Sequence, residues 1–271
     1  MRAHVSLQIE VSFSEPVRSA NHLLRLTPRP FDSLHVPDWF VGVEPVATLR
    51  RSEDGYGNIS HSCSHAGPLE KLTITAEGTV ETQDAAGVAR GLHEKQPLDL
   101  FLRHSHDGPG EDILGFVKTF GPETDRLSRL HLLMGALHEK LAFTPADAAP
   151  RQAAEVFADG KGCARELAQV FVAAARAQNI PARVVSGLLL DGAEGDAFHA
   201  WAEAHVEGLG WVAFDGALGF CPRDTHLRLA HGVDACSATH RRGAFAGFAE
   251  QRVETRLKVT PARQASWQTQ Q

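Results

Sequence analysis

Residues 160–183 carry a helical stretch with almost no polar side. Leu167, Ala168, Val170, Phe171, Val172, Ala174 and Ala175 fall all round a helix running from about residue 164 to 178. A helix that is apolar on nearly every side must be enclosed by other elements, so it belongs at the centre of a fold. Both ends are marked. Gly160 and Gly162 turn the chain into it, Asn179 suits a left-handed position at its end, and Pro181 stops it continuing. Cys163 stands at its start.

The elements around this helix come from periodicity. Leu127, Leu130, Met134, Leu137 and Leu141 repeat every three to four residues as one face of an amphipathic helix, which Pro145 and Pro150 break. A short helix is expected at 153–157, ending at Gly160. After the central helix come strands at 183–190, 198–207 and 211–215, with 253–259 as a last edge strand.

The first 83 residues read differently. Val5, Leu7, Ile9, Val11 and Phe13 alternate with period two, and 23–27 is a second strand stopped by Pro28 and Pro30. Asp54-Gly55-Tyr56-Gly57-Asn58 is a turn, and 59–65 and 69–80 are further strands. Residues 84–126 form a connector rich in Gly, Pro, Asp and His, with a short helix at 113–117 and part of its length packed on the next domain. Residues 262–271 are a polar, frayed tail. The fold class is therefore α+β. An antiparallel β domain (1–83) and a connector (84–126) precede a core (127–261) whose central helix packs on an antiparallel sheet.

Composition excludes several function classes. The net charge of −6 and pI near 6.2 leave no excess of Lys and Arg to neutralise phosphates, so no nucleic-acid partner is expected. No apolar run approaches the ~18–20 residues of a membrane span, and residues 1–6 carry no apolar leader. Cys63, Cys163, Cys221 and Cys236 are far apart and form no CxxC pair, so reduced thiols and a cytoplasmic location are expected. Nothing points to a cofactor.

The chemistry centres on Cys163. A cysteine at a helix N-terminus has its thiolate favoured by the helix dipole, and free backbone N–H groups there can hold an oxyanion. A nearby His would act as base and an Asp would orient it. The strand Phe198-His199-Ala200-Trp201-Ala202-Glu203-Ala204-His205-Val206 puts His199, Trp201, Glu203 and His205 on one face and the alanines on the other. An antiparallel hairpin centred near Gly208 brings Asp215 within about two residues of the position opposite His199. Taken singly, each residue has a bland reading: a buried thiol, a surface His, a turn Asp. Their order and placement carry the chemical reading. His61-Ser62-Cys63-Ser64-His65 and His104-Ser105-His106-Asp107 lack four-ligand zinc spacing, so both are read as structural or solvent-facing and no metal is expected.

Four stretches resemble the transglutaminase-like superfamily, which includes bacterial cysteine proteases. Residues 168–187, with Arg176, Ile180-Pro181-Ala182-Arg183 and Val185-Ser186-Gly187, resemble the family's helix-to-strand segment. Phe198-His199-Ala200-Trp201-Ala202-Glu203 resembles its His motif, and Gly210-Trp211-Val212-Ala213-Phe214-Asp215 its Asp motif. Residues 226–243 resemble the stretch beyond the catalytic Asp. In the front half, His22 to Arg29 and Asp54 to Asn58 are similar to the bacterial N-terminal β region. The resemblance implies a papain-like core, a Cys-His-Asp triad, a thioester intermediate, and hydrolysis or transfer of a peptide or protein amide.

One residue departs from the pattern. The family's nucleophile stands four residues before the helix alanine and twelve before the helix arginine. Counting back from Ala168 and from Arg176 gives Ala164 both times. Cys163 lies one residue earlier, a rotation of ~100° on a helix. Three readings stay open at this point: Cys163 has taken over as nucleophile through a shift at Gly162; the groove only binds; or Ala164 replaces the cysteine of an otherwise competent site.

Overall fold

The structure is a computed structural model describing residues 1–104, 108–121, 125–145, 150–191 and 197–262. Residues 105–107 of the His104 loop and 263–271 of the expected tail lie outside the described residues. The chain opens with β1 (Arg2–Leu24), β2 (Leu34–Glu44), β3 (Arg50–Glu53) and β4 (Ile59–Thr82). A short β5 (Val88–Ala89), a 3-10 turn (Leu98–Leu102), α1 (Glu111–Val117) and α2 (Arg126–Lys140) come next. Then come β6 (Ala142–Phe143), α3 (Ala153–Asp159), β7 (Lys161–Gly162) and α4 (Ala164–Ala177). The chain ends with β8 (Ala182–Leu189), β9 (Phe198–Val206), β10 (Gly210–Phe214), β11 (His226–Gly232), β12 (Arg241–Ala246) and β13 (Gln251–Pro261).

The first sheet runs β12-β1-β4-β2, with β13 also on β1 and β3 on β4. Its alternation is matched across strands: Ile9 lies opposite Ile74 and Leu7 opposite Ala76, all buried. Several expectations are corrected here. Residues 59–65 and 69–80 belong to one strand, because β1 tracks it through two register shifts. Leu23 and Leu24 end β1 rather than start a new strand. The edge strand expected at 253–259 joins the first sheet, where Val259, Leu257 and Val253 pair with Val5, Leu7 and Val11. The N-terminal β unit is thus completed by the last two strands of the chain, whose apolar residues match the pattern of β1.

The second sheet, β11-β8-β9-β10-β5, carries α4 on one face. Ala200, Ala202 and Ala204 of β9 form that face and share a core with Leu167, Phe171 and Ala174 of the helix. The small alanines let the helix lie close, and Phe171 stacks on Phe214 at 5.2 Å. Gly160 ends α3 in the left-handed region at φ 72°, and Asn179 takes φ 58° after α4.

Arg176 explains how the connector packs. Buried in α4, it donates to the carbonyls of Phe101 (2.8 Å), Arg103 (2.7 Å), Ala182 (2.6 Å) and Val233 (2.7 Å). One guanidinium ties the connector, β8 and the loop after β11 to the central helix. Burial lowers its pKa to about 10, so it stays charged at neutral pH. No described helix is long and apolar enough to cross a membrane.

Gly187 marks a close approach in β8. A Cβ there would lie 2.3 Å from the Leu227 carbonyl oxygen and 2.5 Å from the Trp201 ring. Gly187→Ala is therefore expected to lower stability by about 1–3 kcal/mol, as overpacking a filled interior does, measured by urea denaturation against wild type.

Candidate active site

His199 and Asp215 meet as the hairpin register requires. Phe214 pairs with Ala202, so Asp215 comes opposite Trp201, two residues along from His199. The Nε2 of His199 donates to Asp215 Oδ2 at 2.5 Å, with both side chains buried. That bond places the proton on Nε2 and leaves Nδ1 as the acceptor. No described hydrogen bond uses Nδ1, and it is not among the buried atoms left without a partner. It is positioned to take a proton from a nucleophile or a substrate.

Asp215 is further held by the chain around it. Its Oδ1 accepts from the amides of Ala217 and Leu218, each at 3.0 Å. Its Oδ2 also receives Nε2 of His226 at 3.3 Å. The Nδ1 of His226 accepts from the Arg223 amide at 3.3 Å, which agrees with a proton on Nε2. Burial alone would raise the Asp215 carboxyl pKa, but the hydrogen bonds from His199 and His226 outweigh it and hold the group charged. Sequence reasoning misses the role of His226. Its signals are the alternation of Leu227 and Leu229 with His226 and Arg228, and its place at the start of the family-like stretch 226–243; both mark a strand without naming its neighbours.

Cys163 and Ala164 occupy the start of α4. Cys163 is the N-cap, with extended backbone at φ −80° and ψ 168°. Its amide donates to Glu166 Oε2 at 3.0 Å. Glu166 in turn is fixed by Arg151, whose Nε (2.9 Å), Nη2 (3.1 Å) and backbone amide (3.1 Å) all donate to it. Gly162 gives that carboxylate room, since a Cβ there would lie 3.0 Å from Glu166 Oε2. The Cys163 amide is therefore committed and is not an oxyanion donor in this arrangement. No described hydrogen bond joins Cys163 to His199, and the cluster of converging polar atoms is His199, Asp215 and His226 without the thiol. Ala164 is the first helical residue, where the amide has no acceptor within the helix. Its side chain belongs to the helix core.

Beneath the site runs a buried ionic cluster. Glu203, one pleat beyond Trp201, accepts from Arg183 Nε at 2.6 Å and Arg228 Nε at 2.9 Å. Arg183 also donates to Glu94 at 2.9 and 3.0 Å and lies 3.8 Å above the Trp211 ring. These contacts lock the strands that carry His199, Asp215 and His226.

Acid should weaken the fold in two stages. Burial pushes the pKa values of His22 to about 4 and His240 to about 3, and drives His231 well down. Glu166 is lowered to about 2 chiefly by Arg151. Burial would raise Glu203, but Arg228 and Arg183 outweigh it and bring it to about 2. Every one of these folded-state values lies below its unfolded value. Their stabilisation is present above the unfolded pKa and is lost as pH falls through the folded one. The histidine share therefore starts to disappear below pH ~6.5 and the carboxylate share below pH ~4.5. Urea midpoints measured from pH 7 to 3 are expected to decline through both windows.

Comparison with known proteins finds similar families and a similar fold. Residues 3–81 match the bacterial transglutaminase-like N-terminal region, and residues 115–216 match the transglutaminase-like superfamily core. No curated protein matches the chain. Among solved structures, a candidate cysteine protease from Cytophaga hutchinsonii superposes with a TM-score of 0.76 at 17% identity, covering 96% of this chain and 91% of that one. The periplasmic domain of TgpA from Pseudomonas aeruginosa gives 0.42 at 15% identity, over 79% and 88% of the two chains. Legionella pneumophila LapG gives 0.37 at 10% identity, over 47% and 85%.

Proposed function

We propose that this chain, which belongs to the transglutaminase-like superfamily, binds a peptide or protein amide at a site that keeps the base pair His199–Asp215 but has no thiol at the reacting position. The superfamily and the cysteine-protease fold support a peptide or protein as ligand. The observation that carries the finer reading is the commitment of Cys163 to capping its own helix. Its amide is tied to Glu166, and Ala164 stands at the first helical position, where the family count puts the nucleophile. A base, its orienting carboxylate and the Ala164 amide, which has no acceptor within the helix, are then present without an attacking sulfur. The chain holds an amide and does not cleave it.

A second reading has one observation in its favour. Cys163 is the cap of a 14-residue helix and its side chain forms a capping box with the Glu166 backbone, so the sulfur already stands beside the first-turn amides. In that reading Cys163 attacks the amide carbon, His199 takes the thiol proton and then delivers it to the leaving amine, and water or another amine releases the acyl group.

A peptide array with fluorescent glutamine- and lysine-containing peptides separates the two. The binding reading expects saturable binding that a bulky change at the site, Ala164→Trp, abolishes, with no product formed. Turnover that disappears in Cys163→Ser supports the second reading and overturns the first. Absence of both binding and turnover contradicts the first as well.

A further inference from the structure

His199, Asp215 and His226 converge more tightly than a base pair requires. Their ligand atoms all lie within 4.8 Å of one another, and all three side chains are buried. Two imidazole Nε2 atoms approach the same carboxylate oxygen, at 2.5 and 3.3 Å. Orienting one histidine takes one carboxylate. The second imidazole brings two nitrogens and one oxygen into a single buried cluster.

We propose that this trio is a binding site for a divalent transition-metal ion of the zinc class. Two imidazoles and a carboxylate form a ligand set that such ions favour. The ion replaces one proton on each of His199 Nε2 and His226 Nε2, and Asp215 Oδ2 becomes its third ligand. Each ring then carries its proton on Nδ1 and stays neutral, so no net protonation change is required of the pair. The supporting contacts are those a metal site needs. The amides of Ala217 and Leu218 fix the carboxylate through Oδ1. Thr225 Oγ1 lies 3.4 Å from His226 Nδ1 and accepts a hydrogen bond from Nδ1–H once Nε2 is a ligand, in exchange for the long contact from the Arg223 amide. The guanidinium charges of the same sheet, Arg183 and Arg228, are neutralised by Glu203 and Glu94. A cavity of about 50 Å³, bordered by Trp201, Asp224 and His226, reaches the His226 side of the trio. An occupied site withdraws His199 from base chemistry, so metal binding and thiol catalysis exclude each other.

The inference uses the site residues of the proposed function but not its peptide ligand, so it is tested without peptide or turnover. Purified, tag-free, chelator-treated protein is titrated with zinc against a chromophoric chelator, and cobalt is added separately for its visible spectrum. One equivalent of zinc is expected to bind. Affinity should fall by about a hundredfold or more in His226→Phe and stay unchanged in Cys163→Ser. Cobalt should give d–d bands without a thiolate charge-transfer band. Should His226→Phe fail to fold, His226→Gln and the wild-type cobalt spectrum decide the matter. No stoichiometric binding, binding indifferent to position 226, or a thiolate band lost in Cys163→Ser would each overturn the proposal.

Discussion

Glu203→Gln is expected to destabilise the protein by about 3–5 kcal/mol, as breaking a buried ion pair from one side does. Arg183 has no exposed side-chain surface and Arg228 has 9%. With the carboxylate gone, Arg183 keeps only Glu94, which is 32% exposed, and the 9%-exposed Arg228 loses its side-chain partner beside a cavity of about 50 Å³. The lost attraction matters less than the stranded charge. Replacing Arg228 as well, in Glu203→Gln/Arg228→Met, should therefore recover part of the loss. Chemical denaturation of the two singles and the double gives the coupling directly. A cost below about 1 kcal/mol for the single would mean that water reaches the cluster.

Ala164→Cys is expected to turn the binding site into a working one. The new thiol stands at the first helical position, beside an amide that the helix leaves without an acceptor. The base it would use, His199, already has its proton fixed on the side facing Asp215. Peptide amide hydrolysis should appear in Ala164→Cys where wild type shows none. His199→Ala in that background should lower the rate by about 10²–10⁴-fold, the usual range for a general base. Asp215→Asn should act in the same direction, since it removes the acceptor that sets the imidazole tautomer. Circular dichroism checks that the added sulfur is accommodated, because Ala164 packs in the helix core. An Ala164→Cys protein that folds and stays inert would show that the groove no longer presents a substrate carbonyl.

Much of this site is legible in the sequence, for specific physical reasons. The buried helix announces itself because apolar residues on all sides leave only one kind of environment. The His199–Asp215 encounter rests on strand alternation and a Gly-marked turn, both local properties. The register comes out as the two-residue offset the hairpin implies. Partner choice over long distances is a different matter. Alternation marks 253–259 as a strand but does not say that it pairs with the opposite end of the chain, at residues 3–13. His226 stays hidden for the same reason, since its neighbour Asp215 belongs to another strand's end. The tie between the Cys163 amide and Glu166 is out of reach too. It depends on Arg151, which holds the carboxylate in place from beyond a short helix.

The central claim concerns one sulfur, and its reactivity decides it. Wild type, Ala164→Cys and Cys163→Ser are treated with iodoacetamide near neutral pH, and labelling is followed at each cysteine by peptide mass spectrometry. Exposed Cys236 is the internal reference for an accessible thiol, and buried Cys63 for an enclosed one. With Cys163 held as a helix cap, it should label more slowly than Cys236. The thiol introduced by Ala164→Cys should label faster than Cys236 in a His199-dependent way. Fast, His199-dependent labelling of Cys163 in the wild-type chain would contradict the account and make Cys163 the nucleophile.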